Sequence, residues 1–183
     1  MRYSKRFRYF QPNKLDLKDK TGDCQIRALC KALGVGWKEA FDLTIPLCRE
    51  LQTYTVFDGN REKTKEAMRR LGFEYHGISN KKGTTRPTVD SFAKDHPEGT
   101  YIVSVAHHVV AVVDGCYWDT WDSGYKSLYG YYEKVSEPET KKRERLTKWN
   151  GTKWVLPQGR TSDGESYWRI IAETLAEYEN TVY

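Results

Sequence analysis

Three residues, Cys24, His108 and Asp119, have the side chains that nucleophilic catalysis by a thiol requires. A cysteine attacks as a thiolate, so it needs a nearby base, and that base needs a group that orients it. A histidine and an acidic residue can fill these two roles. The three side chains can act together only if the secondary structure brings them to one place.

Cys24 stands at the start of a predicted helix. The segment 24–33 carries apolar residues at helical spacing, Asp23 is a typical N-cap, and Gly34 is a natural C-terminal stop. Unpaired N–H groups and the positive end of the helix dipole favour a thiolate in this first turn. The N–H of Cys24 could also stabilise an oxyanion. Taken alone, the cysteine could equally be a small residue without chemistry.

His108 and Asp119 fall on two strands of a predicted hairpin. The segment 108–113 is rich in β-branched residues, and Asp114-Gly115 is a strong signal for a two-residue turn. Such a turn pairs Val110 with Asp119, and side chains alternate between faces along a strand. His108 and Asp119 therefore lie on one face, close enough diagonally for a side-chain hydrogen bond.

The same register pairs His107 with Asp122 on the opposite face of the hairpin. A slip of one residue would exchange the faces and make this second pair the catalytic one. Both faces are apolar, so His108 could instead be a buried histidine with a structural role. Adjacent strand residues point to opposite faces, so His107 and His108 cannot easily share one metal ion. We expect no metal site and no other cofactor.

Three segments together resemble the papain-like cysteine peptidase superfamily: Gly22-Asp23-Cys24 at the head of a helix, His108–Val113, and Tyr117-Trp118-Asp119. The compact prokaryotic and phage members, akin to the double-glycine leader peptidases, are the most similar. The resemblance covers roughly residues 3–134. It implies that Cys24 is the nucleophile, His108 the general base and acid, and Asp119 the orienting residue.

One position departs from the family pattern. Papain-like peptidases usually carry a glutamine about six residues before the cysteine as an oxyanion donor, and this chain has Lys18 there. Gln11 lies too far upstream, and Gln25 follows the cysteine. Lys18 and Gln25 are the candidates for the missing donor. Loss of such a donor lowers the rate by ~10²–10³-fold, so the protein could also be a catalytically weak relative of these peptidases.

Helical patterns dominate the first half of the chain and strand patterns the second, which predicts an α+β domain. By the resemblance, the fold is papain-like, with the helix that bears the cysteine packed on an antiparallel sheet. Helices are predicted over 24–33, 37–52 with a break at Pro46, 61–71, and a short segment capped by Thr88. Strands are predicted over 1–10 at a sheet edge, 73–78, 100–105, 108–113, 116–121 and 125–132.

The chain is expected to have two regions. Residues 1–135 form the catalytic domain, and residues 136–183 form a charged connector and a C-terminal helix that packs on the same body. Ser162 and Glu165 fit a capping box ahead of that helix. Its apolar stripe consists of Trp168, Ile171, Leu175 and Tyr178.

Composition favours a globular protein, because 38% of the residues are hydrophobic and 14% are aromatic. The absence of an apolar signal segment, and four cysteines without disulfide or zinc spacing, favour the cytoplasm. By the resemblance, this is the cytoplasm of a bacterium or a phage-infected host. The net charge of +5 permits an acidic partner without requiring one. The basic and aromatic residues 1–10 could contact nucleic acid, although an edge strand explains them more simply.

Three functions remain open from the sequence. The first is a cysteine peptidase or isopeptidase that acts on a protein or peptide substrate through an acyl-enzyme. The second is an acyltransferase or amidase with the same triad. The third is a binding or regulatory protein with a weak or inactive site.

Overall fold

The computed structural model describes residues 3–15, 22–57, 61–79, 85–136 and 138, together with the backbone of three strands between residues 148 and 172. The chain divides into two compact units, Met1–Ser136 and Glu137–Tyr183. Among the described residues, none of the helices has both the length and the apolar character needed to cross a bilayer.

The described part of the first unit contains four helices and a six-stranded sheet, which confirms the predicted α+β class. The strands lie in the order β1-β5-β4-β3-β6-β2, and every neighbouring pair is antiparallel except β1 and β5. The helices are α1 (Cys24–Leu33), α2 (Trp37–Glu50), α3 (Arg61–Arg70) and α4 (Val89–Asp95). The strands are β1 (Phe7–Tyr9), β2 (Phe73–Gly77), β3 (Thr100–Val105), β4 (His108–Val113), β5 (Cys116–Asp119) and β6 (Gly130–Lys134).

Apolar residues cover both faces of the central strands. On β4, Val109 and Ala111 belong to the core that contains α1, α2 and α3, whereas Val110 and Val112 belong to a second core with α4. Alternating side chains of β4 therefore pack into two different cores, which explains the continuous apolar sequence of this strand.

The start of α1 differs from the prediction in one respect. Cys24 is the first helical residue, and Gly34 ends the helix with a φ of 69°, as its sequence predicts. Asp23 occupies the N-cap position, as predicted, but its side chain makes no capping hydrogen bond. Its carboxylate pairs instead with Arg27 and accepts a hydrogen bond of 2.8 Å from Trp37 Nε1. A charged partner one helical turn away competes successfully with the backbone N–H groups.

The predicted break at Pro46 was also wrong, because α2 runs through it. A proline in a helix interior costs about 3 kcal/mol through the hydrogen bond that it cannot donate. Here Ala40 and Leu47 are buried on either side of it, and Asp42, whose carbonyl loses the bond, is exposed. Packing of the apolar face therefore offsets the lost bond.

The hairpin of β4 and β5 has the predicted register, with Val113 opposite Cys116 and Ala111 opposite Trp118. Asp114 and Gly115 have φ values of 48° and 71°, the left-handed geometry that an Asp-Gly turn adopts. Strand β5 ends at Asp119, two residues earlier than predicted.

The predicted pairing of His107 with Asp122 is absent. His107 lies in the tight turn between β3 and β4 with a φ of 56°, so it is not part of a strand. Asp122 lies beyond the end of β5 and accepts hydrogen bonds from the Ser4 N–H at 2.9 Å and the Tyr117 hydroxyl at 2.5 Å. The hairpin ends before its register can bring the two residues together.

Two further strands are shorter than predicted. The N-terminal strand is reduced to β1, which lies at the sheet edge as expected. The last strand of the unit begins at Gly130 rather than at residue 125. Thr88 caps α4 in a reciprocal capping box with Ser91, which confirms its predicted role.

The described part of the second unit is a three-stranded antiparallel sheet of β7 (Lys148–Trp149), β8 (Trp154–Arg160) and β9 (Ser166–Ala172). The predicted C-terminal helix was therefore wrong over 166–172, where Trp168 and Ile171 belong to β9. Aromatic and β-branched residues in β9 suit a strand as well as a helix, and pairing with β8 decides between them. Leu175, Tyr178 and the capping-box residues Ser162 and Glu165 lie outside the described residues.

Candidate active site

The thiol of Cys24 lies half-buried at the first position of α1. The His108 side chain and the backbone N–H of Val109 lie next to it, and both lower its pKa. As the first residue of the helix, Cys24 also has a backbone N–H without a partner inside α1. That N–H can stabilise negative charge that develops on a carbonyl oxygen next to the sulfur.

The surroundings of Cys24 lower its pKa below the usual value of 9.0. Burial is the largest single influence and raises the pKa, because it disfavours the thiolate. The hydrogen bonds from His108 and Val109, and the positive charges of His108 and Arg27, together outweigh burial. The site therefore favours the thiolate, which is the nucleophilic form.

Cys30 provides a contrast within the same helix. It is almost fully buried, and burial together with the charge of Asp23 raises its pKa to about 12. All four cysteines are free thiols. Two cysteines less than two helical turns apart thus have pKa values shifted in opposite directions. The one with the lowered pKa is Cys24.

His108 connects the thiol to Asp119. Its Nε2 lies 2.7 Å from Asp119 Oδ2, which leaves Nδ1 as the ring nitrogen for Cys24. Burial is again the largest single influence and lowers the pKa of His108, but the hydrogen bonds and charges of Asp119 and Cys24 raise it to about 9. The lowered pKa of Cys24 and the raised pKa of His108 both favour the ion pair of thiolate and imidazolium over the neutral pair.

Asp119 is held by several donors at once. Ser123 Oγ donates to Oδ2 at 2.8 Å, and the Thr120 N–H donates to Oδ1 at 2.8 Å. Arg27 Nη2 lies 3.9 Å from Oδ1, and the Asp119 side chain is only 3% exposed. With both oxygens engaged, the carboxylate has little freedom to turn away from His108.

Arg27 joins α1 to this carboxylate. Its side chain is 7% exposed, and it pairs with Asp23 as well as facing Asp119. A buried guanidinium between two buried carboxylates attracts both, whereas an unpaired charge at this depth would be strongly unfavourable. The sequence analysis missed Arg27, although an Asp and an Arg four residues apart, with the Arg among apolar neighbours, is a signal that could have found it.

Trp121 is a second residue that the sequence analysis missed. Its ring lies 5.3 Å from the His108 ring, centroid to centroid, at an angle of 33°. An aromatic ring at this distance limits the access of water to His108 and so strengthens its hydrogen bond to Asp119. The predicted hairpin register puts position 121 opposite His108, and this is the signal that could have found it.

A cleft of about 580 Å³ opens beside Cys24 and His108. Gln25 and His107, two of the secondary candidates, line it. The Thr55 hydroxyl donates to Gln25 Oε1, which leaves the Nε2 group of Gln25 as a donor at the cleft. Asp122 is not among the described lining residues, and Lys18 lies outside the described residues. Of the two predicted candidates for a second oxyanion donor, Gln25 is the one that lies within the described residues and lines the cleft.

Comparisons with protein-family models, curated proteins and solved structures gave no match. Within the described residues, no group of three or more His, Cys, Asp or Glu side chains is placed to hold a metal ion. The function is therefore inferred from the geometry around Cys24.

Proposed function

We propose that the protein is a cysteine hydrolase of papain-like type that cleaves a peptide or isopeptide bond. The observation that carries the proposal is the arrangement of three groups: the Cys24 thiol, whose pKa His108 lowers, the His108 ring, and the Asp119 carboxylate 2.7 Å from its Nε2. The order Cys, His, Asp along the sequence agrees with the papain-like resemblance. Unpaired N–H groups at the start of α1 add a site for an oxyanion.

In the first half of the reaction, the Cys24 thiolate attacks the carbonyl carbon of the substrate and forms a C–S bond. The carbonyl π electrons move to the oxygen, which lies at the Cys24 N–H. Collapse of this intermediate breaks the C–N bond, and the imidazolium of His108 gives its proton to the leaving amine. The product at this stage is a thioester on Cys24.

In the second half, neutral His108 removes a proton from water, and the oxygen of that water attacks the thioester carbonyl. Cleavage of the C–S bond releases the carboxylic acid and regenerates the thiolate and the imidazolium. Asp119 keeps its charge throughout and holds the ring in position. The Nε2 bond to Asp119 leaves Nδ1 facing the sulfur in both halves.

A pool of peptides incubated with the protein in heavy-oxygen water tests the proposal. We expect new carboxyl termini that carry the heavy oxygen with the native protein, and none with Cys24→Ala. If products form only as adducts of an added amine, the reaction is acyl transfer rather than hydrolysis. No product with either nucleophile would contradict the proposal and favour a binding protein.

A further inference from the structure

The cleft beside Cys24 has an aromatic wall and no acidic group among its described lining residues. The aromatic side chains are Tyr54, Phe57, Tyr75, Tyr129 and Tyr132. Tyr54 is 88% exposed, and Tyr129 is 50% exposed, so their rings are available to a ligand. Arg61 supplies a permanent positive charge to the lining.

Guanidinium groups stack on two of these tyrosines. Arg61 lies 5.5 Å from the centroid of the Tyr75 ring, and its Nη2 donates to the Tyr75 hydroxyl at 3.0 Å. Arg86 lies 4.5 Å from the centroid of the Tyr129 ring. Stacking fixes a guanidinium while leaving most of its five N–H donors free to bind another group.

Tyr75 and Tyr129 lie on the same wall, whereas Arg86 is absent from the described lining of the cleft. A Cβ atom at Gly130 would be 2.7 Å from the Tyr75 hydroxyl, so Tyr75 crosses directly over Gly130, the neighbour of Tyr129. Within the described residues, neither Arg61 nor Arg86 forms an ion pair with a carboxylate, whereas Arg69 and Arg70 both pair with Glu66. Arg61 therefore brings positive charge to the cleft without an acidic partner among the described residues.

We infer that the cleft selects an acidic peptide, whose carboxylates pair with Arg61 while its chain lies along the tyrosine rings. This inference rests on the proposed cysteine hydrolase function, because it places the acidic residues next to the bond that Cys24 attacks. Arginine suits this role, since its planar group binds a carboxylate through two parallel hydrogen bonds. The absence of acidic groups from the described lining removes a source of repulsion for such a peptide.

Three peptidyl chloromethyl ketones test the inference, identical except for flanking glutamates, glutamines or lysines. The Cys24 thiolate forms a C–S bond and displaces chloride, so intact mass gives the rate of labelling. We expect the glutamate probe to react about three- to tenfold faster than the glutamine probe, because each partly exposed ion pair contributes only a few-fold. The difference shrinks at about 0.5 M salt because Arg61 is exposed to solvent.

Arg61→Glu should reverse the preference between the probes, so that the lysine probe labels Cys24 faster than the glutamate probe. Arg69→Glu is the matched control, because Arg69 lies on the same helix but is absent from the described lining of the cleft. Equal rates for the three probes, or a glutamate preference that Arg61→Glu leaves unchanged, would overturn the inference. Failure of iodoacetamide itself to label Cys24 would overturn the proposed function as well, which distinguishes the two results.

Discussion

Replacement of Asp119 by asparagine is predicted to lower the pKa of His108. The rise of that pKa from 6.5 to about 9 corresponds to about 3 kcal/mol of preferential stabilisation of the imidazolium. Among the groups that raise it, Asp119 has the largest effect and Cys24 follows. We assign about half of the energy to Asp119, so Asp119→Asn should lower the pKa by at least about one unit.

The sign of this effect fixes the pH dependence of activity. The ion pair of thiolate and imidazolium persists above the lowered pKa of Cys24 and is lost as the pH rises through the pKa of His108. The native protein should therefore lose kcat/KM with an alkaline limb near pH 9, and Asp119→Asn should move that limb to lower pH. Some activity should survive, because an amide oxygen can still accept the hydrogen bond from Nε2.

NMR titration of the labelled His108 ring measures the pKa directly and needs no substrate. Asp122→Asn is the control, because Asp122 binds the Tyr117 hydroxyl and the Ser4 N–H rather than the histidine. An unchanged His108 pKa in Asp119→Asn, or an equal drop in Asp122→Asn, would refute the proposed origin of the raised pKa.

Two further predictions concern stability and specificity of the site. Arg27→Gln should lower the free energy of unfolding by about 3–5 kcal/mol, because it leaves the buried carboxylates of Asp23 and Asp119 without their shared cation. Urea denaturation measures this loss. A loss below about 1 kcal/mol would contradict the buried network. His107→Ala should retain most of the turnover and should act mainly on KM, because His107 lines the cleft but lies in a turn outside the triad. A kcat as low as that of His108→Ala would show that the wrong histidine has been placed in the triad.

The hairpin could be predicted from the sequence because its information is local. Asp114-Gly115 determines the turn, the turn determines the register, and the register places Asp119 near His108. The start of α1 at Cys24 is also local, since it follows from the apolar spacing and the terminal Gly34.

The surroundings of the triad depend on contacts between residues far apart in the chain, which local patterns do not contain. Arg27, for example, reaches Asp119 across two elements. The strand β9 shows the same limit, because its sequence fits a helix or a strand until β8 pairs with it. Periodicity could locate the triad residues, but not the groups that hold them.

The rate at which iodoacetamide alkylates each cysteine, followed by peptide mass spectrometry across a range of pH, tests the central claim most directly. We predict that Cys24 reacts faster than Cys48 and Cys116 at neutral pH, with an apparent pKa below 9.0 that rises in His108→Ala. Cys30 should react most slowly, because its pKa is raised to about 12 and it is buried. A Cys24 that reacts no faster than Cys48 and Cys116, or whose apparent pKa is the same with and without His108, would contradict the account.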